Sequence, residues 1–284
     1  MRYQILSELG CGGYGAVYKA LDNYRHQLVA VKIMVQEDEP DESWERSMAA
    51  AMRGEAIILP ALNHQHIIRA FYSKGWGTPR VGVVMELMEG SLASLMRWPQ
   101  LPRKESQAVA DIVLHQMLQA LAYLASLGYV HRDLKPENIL YTSSPSLLLG
   151  RPRPHPVASS LYHFRLGDFG LCDLATNIDA VRGSELYMAP ELFERPVRHM
   201  QSHKSDVWAL YVTIFCTLNA DEMRQMRNGR RETVADFAKA VELDGRIGSL
   251  REMAMVDPEE RATAEEMLEK VYPYGRGQLS RLRG

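Results

Sequence analysis

The spacing of apolar residues divides the chain into two stretches of different character. Up to about residue 87 the pattern favours strands. Residues 2–9 alternate loosely, a cluster of glycines follows, and 16–21 and 27–35 are further strand candidates. Residues 36–43 are acidic with one proline and read as a loop. From 44 to 59 Ala, Met, Glu and Arg dominate, which favours a helix that Pro60 ends. The Val-rich run 80–87 returns to strand. Beyond Gly90 the pattern turns helical. A short helix is expected over 91–98 and a long one over 104–127, where Val109, Ile112, Val113, Gln116, Leu118, Leu121 and Leu124 recur near a 3.6-residue period. Gly128 then serves as its C-terminal cap. The apolar run 207–218 reads as a buried helix, because its twelve residues fall short of the roughly 20 that cross a hydrocarbon core. The pattern predicts an α+β chain in two lobes: a small β-rich N-lobe over 1–87 with one long helix, a hinge at about 86–91, and a larger, mostly helical C-lobe over 92–284.

One stretch is out of character. Residues 143–163 hold four prolines, including Arg151-Pro152-Arg153-Pro154, and read as a flexible surface insertion. Composition changes the picture little. With 33 basic against 35 acidic residues the net charge is -2, which points neither to nucleic acid nor to an anionic membrane surface. Cys11, Cys172 and Cys216 are scattered and odd in number, so neither a disulfide framework nor a metal spacing is legible. A reducing, intracellular setting, cytoplasmic or nuclear, is the expectation. The start, Met1-Arg2-Tyr3-Gln4, has no apolar h-region of a secretory signal.

Several short motifs carry chemistry. Gly10-Cys11-Gly12-Gly13-Tyr14-Gly15, followed by Val17, is a GxGxxG run whose lack of Cβ atoms lets backbone N–H groups approach phosphate oxygens. A dinucleotide fold uses the same letters before a helix, but here the run lies between two strands, and no Gly-Lys-Ser/Thr of a Walker A loop follows. Val29-Ala30-Val31-Lys32 then puts a lysine on a strand. By itself it is an edge-strand surface lysine, and Glu55 on the next helix is by itself a solvated glutamate. The specific signal is His131-Arg132-Asp133-Leu134-Lys135-Pro136-Glu137-Asn138, which sets an acid, a cation two residues on and an amide five residues on.

That segment resembles the catalytic loop of eukaryotic protein kinases, Ser/Thr branch. Asp168-Phe169-Gly170 resembles the family's metal-binding DFG, and Ala189-Pro190-Glu191 its APE, with all motifs in the family's order from about Tyr3 to Val271. The resemblance implies a bilobal kinase fold and the roles that follow. Asp133 would accept the substrate hydroxyl's proton, and Lys135 would neutralise charge on the γ-phosphate of ATP. Asn138 and Asp168 would hold Mg2+, or Mn2+ in its place. Lys32 would hold the α/β-phosphates, positioned by Glu55. Leu9, Gly10, Gly12, Gly13, Gly15 and Val17 would cover the nucleotide, with Ala30 above the adenine and Leu140 below. Glu86 and Met88 would bond its edge through their backbone, and Met85 would stand at the back of the pocket. Ser184, in Gly183-Ser184-Glu185-Leu186-Tyr187, would bridge Asp133 and Lys135, which marks the Ser/Thr branch. Asp206 would hold the catalytic-loop backbone, and Arg261 would pair with Glu191.

The sequence also departs from the family. Between Asn138 and Asp168 the family has a short hairpin, so 143–163 reads as an insertion in it. Counting back from Ser184 places the usual phosphosite at Ala180, which has no hydroxyl, beside Asp179. Asp179 is expected to give Arg132 a fixed negative charge; phosphorylation at Thr176, or another partner for Arg132, are the alternatives. The reading is an ATP-dependent protein Ser/Thr kinase acting on a protein substrate, with a regulatory partner as one route of control. The alternative is a catalytically silent pseudokinase that binds nucleotide as a scaffold. Acidic positions around the cleft point to basic substrates.

Overall fold

Strand β1 (Tyr3–Gly12) turns at the glycine cluster into β2 (Gly15–Asp22), and β2 turns into β3 (Gln27–Val35). The structure, a computed structural model, describes residues 2–12, 15–35, 42–75, 80–97, 103–143, 162–193, 200–218 and 245–273. With β4 (Ala70–Lys74) and β5 (Arg80–Glu86) the first three strands make an antiparallel sheet in the order β1-β2-β3-β5-β4. Strand β1 runs through Gly10 and Gly12, and it shifts register between Ile5 and Ser7 and between Glu8 and Gly10. Such irregularities blur a period-two pattern, which is why its alternation reads as loose. Alternation is clean in β3: Val29 and Val31 join a small cluster with Ala20 and Val84, while Ala30 and Met34 face the main core. Lys32 lies between Ala30 and Met34 in that alternation, so its side chain is carried to the inner face.

Helix α1 (Glu42–Arg53) continues through a π-helical turn (Gly54–Ile58) into the short α2 (Leu59–Ala61). Glu42 and Ser43, expected in a loop, already belong to α1. Pro60 sits inside the last turn rather than beyond it, at the start of α2 where its missing N–H costs nothing. The edge strand β4 escapes the sequence pattern because its residues Ala70 to Ser73 are all half-buried and do not alternate.

Past β5 the chain forms the two-residue strand β6 (Gly90–Ser91), then α3 (Leu92–Arg97) and α4 (Arg103–Ser126). Ser91 thus belongs to a strand and not to the expected helix, and Trp98 lies outside the described residues. Gly128 ends α4 at φ 79°, the left-handed cap its residue type allows. The stretch Ser106–Ser126 is long and apolar enough by length and composition to cross a membrane, but 67% of that apolar window is buried inside the protein. It packs against α5 (His203–Leu218), whose residues from Ser205 to Thr217 are buried, and against α6 (Ala264–Val271). Helix α6 starts at a capping box formed by Thr263 and Glu266.

Two small pairings hold the loops over these helices: β7 (Tyr129–Val130) with β10 (Asp173–Leu174), and β6 with β8 (Ile139–Ser143) and β9 (Tyr162–Leu166). The expected insertion over 143–163 is strand at both its ends. Ser143 pairs with Tyr162 and Thr142 with His163, so these residues are strand, and 144–161 lie outside the described residues. The architecture is α+β and bilobal. One apolar cluster joins the lobes, running from Ala30, Met34 and Met85 through Phe169 to Leu118 and Leu210.

Candidate functional site

The loop after β7 is hung from helix α5. Asp206, 3% exposed in the first turn of α5, accepts hydrogen bonds from the backbone N–H groups of His131 (2.7 Å) and Arg132 (2.9 Å). Burial raises its carboxyl pKa, opposed by His131 and by those two backbone bonds. The loop then passes through Arg132 at φ 72°, a left-handed conformation that a non-glycine residue adopts only when its surroundings hold it there.

This bend presents Asp133 to three donors. Lys135 Nζ donates to Asp133 Oδ2 (2.7 Å), Asn138 Nδ2 to the same oxygen (3.0 Å) and to the Asp133 carbonyl (2.7 Å). Ser184 Oγ donates to Oδ1 (2.8 Å) and accepts from Lys135 Nζ (2.8 Å), closing a triangle of Asp133, Lys135 and Ser184. Gly183 makes that closure sterically feasible. It sits at φ 123°, and a Cβ there would lie 2.4 Å from the Arg132 carbonyl oxygen.

A second cluster is tied to the first by the Gly167 N–H, which donates to the Asn138 carbonyl (2.8 Å). Lys32 Nζ donates to Glu55 Oε1 (2.9 Å) and to Asp168 Oδ1 (2.8 Å). Glu55 is 1% exposed and comes from the π-helical turn, an irregularity frequent at functional sites. Burial opposes the charge on Lys32, but Glu55 and Asp168 outweigh it and its pKa is raised. Burial pushes the Glu55 carboxyl up against the pull of Lys32. For Asp168, burial is outweighed by the charge and hydrogen bond of Lys32, and the pKa is lowered. Asp168, at φ 56°, follows Gly167, whose carbonyl lies 3.1 Å from His131 Nε2; Phe169 is buried with its ring edge-on to His131 at 5.0 Å.

The geometry tests a divalent cation favourably. Asn138 donates its N–H groups to Asp133, which leaves its amide oxygen as an acceptor, and Asp168 supplies a half-exposed carboxylate beside Lys32 and Glu55. Two hard oxygens beside a phosphate suit Mg2+, which keeps waters and phosphate oxygens in its shell.

Leu9 is exposed, and Gly10 and Gly12 have open space where a Cβ would point. Gly15, at φ 145°, lies so close to β3 that a Cβ would meet the Ile33 carbonyl oxygen at 2.1 Å. Gly13 lies outside the described residues. Val17 pairs with Lys32, and Ala30 with Met85, across the sheet. Val17, Met88 and Leu140 are half-buried against the same core. Glu86 accepts from the Arg69 N–H (2.6 Å) and pairs with Arg165, so its side chain ties β5 to β9 behind the cleft. The carboxylate of Glu89 is engaged by Ser143 N (2.9 Å) and Oγ (2.6 Å).

Asp179 does not supply the partner of Arg132. Arg132 Nε donates to Gln201 Oε1 (2.9 Å), Nη1 to the Leu171 carbonyl (3.4 Å) and Nη2 to the Ala180 carbonyl. Burial, then the charge of Arg182, lowers its pKa; Asp179 is the weakest of three carboxylates acting the other way. Sequence reasoning missed Gln201 because a lone glutamine before a helix carries no motif. It also missed Arg53, which pairs with buried Asp173, and Arg182, which donates to Ser47 Oγ (2.8 Å). The two contacts tie α1 to the segment after Asp168. Further back, Arg261 Nη1 and Nη2 each donate to Glu191 at 2.8 Å, both residues buried, as expected from their sequence positions.

Comparison with known proteins adds three facts. The family described as "Protein kinase domain" matches residues 3–273. The chain is 33% identical to Serine/threonine-protein kinase 1 of Arabidopsis thaliana over 217 residues, 75% of this chain and 22% of that protein. It is 28% identical over 274 residues to NUAK family SNF1-like kinase 1 of Homo sapiens (94% of this chain, 37% of that protein) and likewise to Mitogen-activated protein kinase kinase kinase 1 of Arabidopsis thaliana (92% and 40%). It thus spans less than half the length of each of these relatives.

Proposed function

The chain belongs to the protein kinase family, and we propose that it transfers the γ-phosphoryl group of Mg·ATP to serine or threonine hydroxyls of a protein substrate. The carrying observation is the closed triangle of Asp133, Lys135 and Ser184.

Each polar group then has a task in moving a phosphoryl group with little covalent chemistry. Asp133 orients the acceptor hydroxyl and receives its proton as the new P–O bond forms and the bond to the β-phosphate oxygen breaks. Its carboxylate is 11% exposed, reachable from the cleft yet fixed by its neighbours. Lys135, two residues on, places a cation beside the transferring group, and Ser184 holds that cation and the carboxylate in one geometry. Lys32, fixed by Glu55, holds the α/β-phosphates. Asn138 and Asp168 would bind Mg2+, which when bound spreads the charge on the phosphate oxygens. The glycines of the β1–β2 turn cover the phosphates. Val17, Ala30 and Leu140 enclose the adenine, with Met85 behind it and the backbone of Glu86 and Met88 at its edge. The Ser184–Lys135 bond supports serine and threonine over tyrosine. Free cysteines at 11, 172 and 216 support an intracellular setting.

The test is transfer of radiolabelled γ-phosphate from Mg·ATP to a generic basic protein, beside Asp133→Asn. Loss of the base should lower transfer by about 100- to 10,000-fold while nucleotide binding stays nearly intact. Nucleotide binding without transfer in the wild type would favour the pseudokinase.

A further inference from the structure

Gln201 is 4% exposed and lies just ahead of α5, five positions before Asp206. Its carboxamide touches two separate pieces of chain. Oε1 accepts from Arg132 Nε (2.9 Å) and from the Arg182 backbone N–H (3.0 Å). Nε2 donates to the Arg182 carbonyl (2.6 Å) and points, at 3.5 Å, towards the Arg132 carbonyl. Arg132 immediately precedes Asp133, and Arg182 is two residues before Ser184. The amide therefore stands between the two backbones whose side chains close the triangle, where Gly183 passes the Arg132 carbonyl too tightly for any Cβ.

Arg132 is a buried guanidinium, and its hydrogen bonds run to neutral oxygens: the Gln201 amide and the carbonyls of Leu171 and Ala180. A buried charge left without hydrogen bonds is costly, and these bonds, with the charges of Asp173, Asp206 and Asp179, offset the burial of Arg132. They also occupy the guanidinium from three directions, with the backbone of Ala180 among them.

We propose that Gln201 is a positioning residue: its amide clamps segment residue Arg182 to Arg132, setting Ser184 against Asp133 and holding the 168–191 segment in place without a phosphate. This rests on the kinase reading for its catalytic consequence, though not for the clamp itself.

The experiment uses the 284-residue chain, dephosphorylated with a broad phosphatase and checked by intact mass, with Gln201→Met and Gln201→Glu. Amide hydrogen exchange reads the clamp. Gln201→Met removes every bond and should speed exchange across 178–188 by about tenfold or more. Gln201→Glu keeps both acceptor bonds but cannot donate to the Arg182 carbonyl, so it should fall between the two; it also carries the test if Gln201→Met fails to fold. In steady-state transfer, kcat should fall by about 10- to 100-fold in Gln201→Met, on the scale of lost bonds to a charged group, with KM for ATP within about twofold. Unchanged exchange in both variants overturns the clamp whatever the activity. A KM that rises as much as kcat falls overturns the positioning role. A dephosphorylated wild type with 178–188 as open as in Gln201→Met overturns the phosphate-independent hold. A wild type that transfers nothing, yet shows the expected order of exchange, leaves the clamp standing and defeats the kinase reading instead.

Discussion

Gly54→Ala opposes two physical effects of opposite sign. Gly54 opens the π-helical turn and immediately precedes Glu55. Helix propensity favours alanine over glycine by about 1 kcal/mol, so on local grounds the substitution stabilises. The tertiary structure says otherwise. A Cβ at Gly54 would sit 1.9 Å from the Phe169 carbonyl oxygen, 3.0 Å from its carbonyl carbon and 3.3 Å from the Cys172 carbonyl oxygen. All three obstacles are backbone, so none can rotate away, and α1 must part from the Asp168-Phe169-Gly170 turn by about 1 Å. Overpacking of this kind costs about 1–3 kcal/mol, enough to cancel or exceed the propensity gain. The displaced residue is the neighbour of Glu55, whose 2.9 Å bond fixes Lys32. A shift of about 1 Å in a positioning element can cost about 100-fold in turnover. The expected outcome is a melting temperature lowered by a few degrees, at roughly 2–4 °C per kcal/mol, and kcat lowered by one to two orders of magnitude. Thermal melting and steady-state transfer on the same preparation check it. A Gly54→Ala protein that melts higher and turns over normally would refute the close approach of Gly54 to Phe169.

Two further outcomes are expected. Arg261→Met leaves Glu191 buried without its partner and strips donors from the carbonyls of Met255, Lys204 and Val256, so it should cost about 3–5 kcal/mol in urea unfolding; a loss below about 1 kcal/mol would contradict a buried pair. The Asp168 carboxyl, with burial outweighed by Lys32, has a folded pKa below its ordinary 3.8, so its stabilising contribution is present above pH 3.8 and is lost as pH falls through the folded value. Melting curves of wild type and Asp168→Asn should therefore differ most near neutrality and converge in acid, and a gap that widened on acidification would reverse the sign of the shift.

Much of this site was legible in order along the chain. Lys32, Glu55, Asp133, Lys135, Asn138, Asp168 and Ser184 are polar groups in fixed local patterns, and a loop such as 131–138 encodes its own spacing. The strand β3 was legible for a related reason, since period-two alternation puts Ala30 and Met34 on one face and Lys32 with them. Less legible was β4, a non-alternating edge strand, and the trimmed ends of the insertion, where pairing of Ser143 with Tyr162 depends on a partner strand distant in sequence.

The two lobes and the charged groups of the site can be read along the chain, because local period and local motif are properties of neighbours in it. What meets Arg132 cannot be read that way. A carboxylate at Asp179, one residue from the expected phosphosite, was the natural candidate by spacing, yet the guanidinium is met by Gln201 and by carbonyls of Leu171 and Ala180. Likewise, Gly54 is needed for the passage of Phe169 rather than for the helix. Both outcomes depend on which segments approach within van der Waals distance, and that is set by packing between residues far apart in sequence, for which no pattern of neighbours carries a signal.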